Sequence, residues 1–181
     1  LKQFSRLYPQ VKLDIQFIDS EMAFDLVMHG KLEVGIVTLP PDQDLTLKTI
    51  PIWEDPLAFM VAVDHPLAAA TDIDIQSLAQ HPAILPSMST FTRRIVESLF
   101  QERTLNIEVP ISTNYLETIK MMASIGLGWT VLPATMLDSE VVELPIRDVS
   151  LNRHLGVVYH PGHSLSNAAK AILDLLEAPG I

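Results

Sequence analysis

Leu57-Ala-Phe-Met-Val-Ala-Val63, followed at once by Asp64-His65-Pro66, decides how the rest of the chain is read. Seven consecutive apolar residues without a helical period describe a strand covered on both faces. Pro66 has no N–H and disfavours helix at His65, so the strand stops abruptly. The pattern recurs at Leu155-Gly-Val-Val-Tyr159, again closed by a His-Pro pair at His160-Pro161. Between them lie about ninety residues that can fold as a unit of their own. Two lobes follow as the expectation: residues 1–62 with 156–181, and residues 63–155, joined by crossing strands at 57–63 and 155–159, with the working site in the cleft between them.

Bulk properties narrow the classes. A chain of 181 residues can form one large domain or two small lobes. Its 48% hydrophobic and 19% charged residues fit a globular fold rather than a disordered one. No apolar run approaches the roughly 18–20 residues of a membrane span, and the opening Leu1-Lys-Gln-Phe-Ser-Arg-Leu-Tyr8 is helix-like rather than a signal peptide. With no cysteine, disulfides, thiolate nucleophiles and zinc fingers are excluded. The formal charge of −10 speaks against direct nucleic-acid binding, because phosphate contacts need a basic patch and the sole adjacent cations are Arg93-Arg94.

Strands and helices alternate along the chain. A helix end at Leu1–Leu7 precedes Val11–Ile18, where Val11, Leu13, Ile15 and Phe17 alternate with polar residues as in a half-wet strand. Asp19-Ser20 is suited to cap a helix that ends at Gly30, and Val34–Val37 is a short strand, giving a predicted β-α-β unit. Leu45–Ile52 and Leu57–Val63 follow as two strands. In the second lobe the pattern predicts strand Ala83–Leu85, helix Thr92–Glu102, strand Ile107–Ile111, helix Tyr115–Ile125 and strand Gly128–Leu132. Pro133 then opens a short helix, and Val141–Leu144 is an edge strand. The last helix, Leu165–Glu177, carries a buried stripe of Ala168, Ala169, Ile172, Leu175 and Leu176. The class is α/β with mainly parallel sheets.

Three junctions after predicted strands carry short hydroxyl or amide residues: Thr38 after Val37, Pro86-Ser-Met-Ser-Thr90 after Leu85, and Ser112-Thr-Asn114 after Ile111. Ligands of open α/β sheets sit beyond the carboxyl ends of the strands, where helix N-termini attract carboxylate, phosphate or sulfate. Plain N-capping accounts for any one junction equally well. Arg93-Arg94 stands in a first helical turn, which opposes the dipole; an anionic ligand or a solvated Arg93–Glu97 pair would explain it. Gly126-Leu-Gly128 ends a helix and opens a strand, the reverse of a dinucleotide fingerprint. His160-Pro-Gly-His163 lacks the carboxylate or cysteine a metal would want and is read as a surface turn. No Gly-x-Ser-x-Gly, His-Glu-x-x-His or P-loop occurs, so no catalytic residue, metal or cofactor is nominated and the chain is expected not to be an enzyme.

Phe4-x-x-Leu-Tyr-Pro9 with Val11-x-Leu, then Leu26-Val-Met-His-Gly-Lys-Leu-Glu-Val-Gly-Ile36, His65-Pro-Leu-Ala68 and Gly126-Leu-Gly-Trp-Thr-Val-Leu-Pro133 together resemble the effector-binding domain of LysR-type transcriptional regulators. The resemblance covers nearly the whole chain in order and spacing. It implies a type 2 periplasmic-binding-protein fold with two Rossmann-like α/β lobes, and a cytoplasmic bacterial regulator. Such a regulator binds a small-molecule effector in the cleft and acts on DNA only through a helix-turn-helix domain that this chain does not contain. A solute-binding protein of a transporter shares the fold and is the alternative. By position the resemblance lines the cleft with Thr38, Leu39, Pro86, Ser87, Ser89, Thr90, Thr113 and Asn114, which suit a small anion. It also implies a homodimer, tetrameric at full length, with Leu1–Leu7 and Val11–Ile18 in an antiparallel interface. The family's first strand is missing here, and its place lies between Val11–Ile18 and Val34–Val37. Those two segments should therefore not pair but lie roughly 9–10 Å apart.

Overall fold

The computed structural model describes residues 1–41 and 46–177. In chain order its elements are α1 (Lys2–Leu7), α2 (Ser20–Met28), β1 (Gly35–Thr38), β2 (Lys48–Ala62), α3 (Ile75–Leu78), β3 (Ile84–Leu85), α4 (Phe91–Gln101), β4 (Ile111–Ser112), α5 (Leu116–Ser124), β5 (Thr130–Pro133), a 3-10 turn (Ala134–Met136), β6 (Val141–Glu143), β7 (Leu151–Tyr159) and α6 (Asn167–Glu177). Two compact units divide the chain, Leu1–Trp53 with His154–Ile181, and Glu54–Arg153. The chain therefore leaves unit 1 within β2 and returns to it within β7.

In unit 1, α2 buries Ala23, Phe24 and Val27. β1 pairs antiparallel with β7 from Gly35↔Val158 to Thr38↔Leu155, and Leu39 N–H donates to the His154 carbonyl at 2.8 Å. On its other side β7 neighbours β2. They approach so closely that a Cβ on Gly156 would stand 2.3 Å from the Ile50 carbonyl oxygen, so a side chain there would force the strands apart. Ser166, just before α6, accepts from Ala169 N–H at 3.1 Å, and Glu33 accepts from the Ser166 N–H at 2.7 Å and its hydroxyl at 3.0 Å. Ala169 and Leu173 are the buried residues of α6. Ile172, Leu175 and Leu176 of the expected stripe are half-buried and line an apolar groove of about 360 Å³ with Phe4, Ile36 and Trp53.

Three expectations are corrected. Val11–Ile18 is not a strand: among the described residues it pairs with nothing, including β1, and Phe17 is 93% exposed. Alternation makes a ladder possible, but only a neighbouring backbone can satisfy its N–H and C=O groups. The β-α-β unit built on that segment is therefore absent. The two strands expected around Trp53 are one, β2, which passes through Glu54-Asp55-Pro56 without a turn; Leu45 lies outside the described residues. Finally, the β1–β7, β2–β5 and β2–β6 ladders are antiparallel. Parallel pairing needs a crossover, and it occurs where α4 and α5 supply one.

Unit 2 is built on Leu57–Ala62, all buried. This part of β2 lies between β5 (Leu57↔Pro133 to Met60↔Thr130) and β6 (Met60↔Glu143 to Ala62↔Val141). Alternate residues serve two cores. Leu57, Phe59 and Val61 join Trp129, Val131 and the α4 residues Val96, Leu99 and Phe100. Ala58 and Met60 join Ile84, Leu132 and the α5 residues Ile119 and Ala123. Trp129 stacks on Phe100 with ring centroids 5.5 Å apart, and its indole N–H donates to the His81 carbonyl at 2.9 Å. Beyond β5 comes β3, bridged in parallel at Ala83↔Trp129, and then β4, paired in parallel at Ile84↔Ile111 and Leu85↔Ser112. The strand β3 is thus central, with both its residues fully buried.

After β2 the backbone folds on His65, whose N–H donates to the Ala62 carbonyl at 3.1 Å and whose carbonyl accepts from Ala68 N–H at 2.8 Å. Its ring Nδ1 accepts from Leu67 N–H at 3.2 Å, which requires the neutral ring protonated at Nε2. Burial, then the edge-on His81 ring 5.2 Å away, lowers the His65 pKa below the usual 6.5, outweighing the Asp64 charge. The unfolded chain therefore binds a proton at higher pH than the native one, and stability is lost as pH falls below about 6.5 towards the lower native value. Urea unfolding midpoints from pH 8 to pH 5 should show this loss, and His65→Asn, which keeps an acceptor but cannot titrate, should flatten it. An unchanged pH profile in the variant would place the effect elsewhere.

Candidate functional site

Crossover helices α4 and α5 each begin at the carboxyl end of a parallel strand, β3 and β4 respectively, and these strands are neighbours. Parallel pairing therefore sets the loop after Leu85 beside the loop after Ser112, as open α/β sheets do with their ligand loops. Thr113 N–H donates to the Leu85 carbonyl at 3.4 Å. Asn114 Oδ1 accepts from Ser87 N–H at 3.1 Å, tying one loop to the other. Asn114 is not the α5 cap; Tyr115 holds that position, makes no side-chain cap bond and is 77% exposed.

Thr90 caps α4 by accepting from Arg93 N–H at 3.2 Å, and its hydroxyl donates to the Ser87 carbonyl at 2.9 Å. That carbonyl also receives the Thr90 N–H at 2.9 Å. The Pro86 carbonyl accepts from Arg93 Nη1 at 3.1 Å. The predicted residues of this unit thus fall into two groups. Pro86, Thr90 and Asn114 form a hydrogen-bonded frame, with Pro86 and Thr90 buried. Ser87 and Thr113 are half-buried, and Met88 and Ser89 are exposed on the turn. Such an arrangement offers hydroxyls and helix N-terminal N–H groups, which suit an anion or a polyhydroxylated ligand.

Thr38 and Leu39 belong to unit 1 and are both buried. Ser20 in the first turn of α2 accepts from Thr38 N–H at 3.0 Å, and Leu39 N–H is engaged by His154. Unit 1 therefore offers the Thr38 hydroxyl rather than these backbone donors. Sequence reasoning took Ser20 as part of a capping pair; its spacing to Thr38 across the chain carries no local signal.

Cations in unit 2 are internally paired. Arg93 Nε and Nη2 both reach Glu97 Oε1, at 2.8 and 2.7 Å. The pair expected on a solvated face is in fact packed inside, with Arg93 5% exposed. Arg153 Nε donates to Asp55 at 2.7 Å and its Nη1 to the Thr92 hydroxyl at 3.4 Å, so β2, β7 and the first turn of α4 are tied together. On α5, Lys120 pairs with Asp138; this bond and charge hold the Asp138 carboxyl below its usual range and raise the Lys120 ammonium. The His160 and His163 rings stack at 4.0 Å across a turn in which Gly162 N–H donates to His160 Nδ1 at 3.0 Å. Among the described residues no group of three or more His, Cys, Asp or Glu could hold a metal ion, and no helix is long and apolar enough to cross a membrane.

Comparison with known proteins places this architecture. The family model described as the LysR substrate binding domain matches residues 1–179. The HTH-type transcriptional activator CmpR of Synechocystis is 28% identical over 98% of this chain and 60% of its own length. The RuBisCO operon transcriptional regulator of Acidithiobacillus ferrooxidans is 25% identical over 97% of this chain and 58% of its own. The chain thus spans about three fifths of the length of these curated relatives. Among solved structures, the Synechocystis CcmR regulatory domain in complex with 2-PG superposes with a TM-score of 0.85 at 26% identity, covering 97% of this chain and 86% of that one. The effector-binding domain of QuiR in complex with shikimate shares the fold, with a TM-score of 0.86 at 20% identity over 97% of this chain and 85% of that one.

Thr90→Ala removes a helix cap and the bond to the Ser87 carbonyl and should destabilise by about 1–2 kcal/mol. For a chain of this size that is roughly a 2–8 °C fall in melting temperature. Thr90→Ser, keeping the hydroxyl, should recover most of it. Equal melting of wild type and Thr90→Ala would remove Thr90 from the frame.

Proposed function

As the chain belongs to the LysR substrate binding domain family, we propose that it is the effector-sensing part of a LysR-type transcriptional regulator and that it binds a small anionic metabolite without turning it over. The observation that carries this reading is the pair of adjacent polar loops at the carboxyl ends of β3 and β4, each leading into a helix N-terminus. Ser87, Ser89 and Thr113 are the ligand-facing hydroxyls, while Pro86, Thr90 and Asn114 hold the loops in place. In unit 1 the Thr38 hydroxyl is the corresponding donor, with Leu39 as its apolar neighbour. DNA binding resides in a helix-turn-helix domain outside this chain, where curated relatives of the same family are longer. The named relatives are regulators, which favours this reading over a transporter's solute-binding protein. An effector shifts such a domain only by its difference in affinity between two states.

Exposed apolar side chains support self-association. Leu7, Val11, Ile15, Phe17 and Met22 of unit 1 are all exposed, more bulk than scattered surface residues require. The chain is a homodimer through this face, as in an antiparallel regulator dimer, and a tetramer in the longer protein.

Thermal melting with sulfate, sulfite, small carboxylates, aromatic acids and 2-PG tests the ligand class. At a hundredfold excess over its Kd one of these anions should add about 2.7 kcal/mol of stability, with a clear rise in melting temperature that Ser87→Ala and Ser89→Ala reduce. A screen in which only neutral sugars stabilise the protein would reject an anionic effector. Light scattering should give the dimer mass for wild type and the monomer mass for Phe17→Asp; a monomeric wild type at high concentration would rule out the dimer.

A further inference from the structure

Arg93 is the most costly residue of unit 2. It is a cation in the first turn of α4, where the helix field opposes it, and it is buried, so it has surrendered its hydration. Glu97 offsets this through two bonds to one oxygen. A buried ion pair of this kind is seldom more stabilising than well-packed apolar side chains of the same size. Its remaining donor supplies what an apolar pair could not. Nη1 reaches the carbonyl of Pro86, the first residue beyond β3, where strand pairing has ended.

The backbone of the next residue is held as tightly. Ser87 N–H is taken by Asn114, and the Ser87 carbonyl by the N–H and hydroxyl of Thr90. Three successive backbone groups, Pro86 C=O, Ser87 N–H and Ser87 C=O, are therefore fixed from three directions. Arg93 provides the one long-reaching charged bond among them, and such bonds are about twice as strong as neutral ones.

We propose that the Arg93–Glu97 pair is a positioning device that locks the Pro86–Thr90 turn in its binding conformation, and that Arg93 acts through the Pro86 carbonyl without touching the effector. The proposal rests on the reading of that turn as the effector loop, but its primary readout does not need a ligand. The guanidinium fork is required: it must serve Glu97 and Pro86 at once from a fixed plane, which an ammonium cannot do.

Amide hydrogen exchange by mass spectrometry on the whole chain tests it, using Arg93→Lys and the double apolar variant Arg93→Met/Glu97→Leu. In both, exchange across residues 87–90 should accelerate about tenfold to a hundredfold, the range expected for losing a bond from a charged donor. Exchange in Leu57–Ala62 and the melting temperature of the double variant should stay near wild type, because apolar packing replaces the pair. A purely structural pair would instead move core exchange and melting together, or leave residues 87–90 unchanged in both variants; either result overturns the proposal. Titration with 2-PG then separates the two readings. If wild type binds 2-PG, the double variant should bind it about tenfold more weakly, and unchanged affinity alongside a loosened turn overturns the positioning role. If wild type binds neither 2-PG nor any other anion tried, the anionic-effector reading fails while the exchange result still decides the clamp.

Discussion

The burial of β3 between two parallel neighbours governs unit 2. Ile84 and Leu85 have no exposed surface, so every backbone group along this short segment must find a protein partner. Ala83 N–H donates to the Glu108 carbonyl, Ile84 N–H to the Trp129 carbonyl, and Trp129 N–H to the Pro82 carbonyl, all within 2.8–2.9 Å. That last bond depends on Gly128, because a Cβ there would lie 2.4 Å from the Pro82 oxygen. Without the close approach, β5 could not bridge β3, and the Trp129 indole would leave its stack on Phe100. The loops after β3 and β4 are where they are because this segment has no freedom to be elsewhere.

From that anchor the polar chemistry sorts itself. A strand end leaves unpaired carbonyls and amides, and near a core these must be satisfied. Around β3 the satisfying groups are side chains: Arg93 for Pro86, Asn114 and Thr90 for Ser87. Residues that do this work are turned inward or locked, which leaves Ser87, Ser89 and Thr113 to face a ligand. Unit 1 repeats the logic on a smaller scale, with Ser20 holding the Thr38 amide. A hydroxyl residue in a binding loop is thus not automatically a ligand contact; its neighbours decide whether it builds the loop or serves it.

Legibility in the sequence followed the range of the interactions. The unbroken apolar run at Leu57, the Thr90 cap and the left-handed Gly126 after α5 (φ +82°) depend on adjacent residues and were readable. The Arg93–Glu97 spacing was readable too, but its burial was not, because a helical i, i+4 pair looks the same on a wet face and a dry one. Val11–Ile18 misled for the same reason in reverse. Its alternation is that of a strand, and nothing in its own residues says whether a partner backbone lies alongside.

By itself the sequence determined the element types, the family, the two strands that carry the chain between its units, and the junctions rich in Ser, Thr and Asn. These rest on periodicity, local sterics and short-range hydrogen bonds, which a linear chain already contains. Only the tertiary structure decided that β2 is one continuous strand, that its ladders with β5 and β6 run antiparallel, that Asn114 reaches Ser87 and that Arg93 reaches Pro86. Those bonds join groups that become neighbours only once β3 is enclosed, and it is the requirement to satisfy buried polar atoms that then selects which side chains hold the site and which remain to bind.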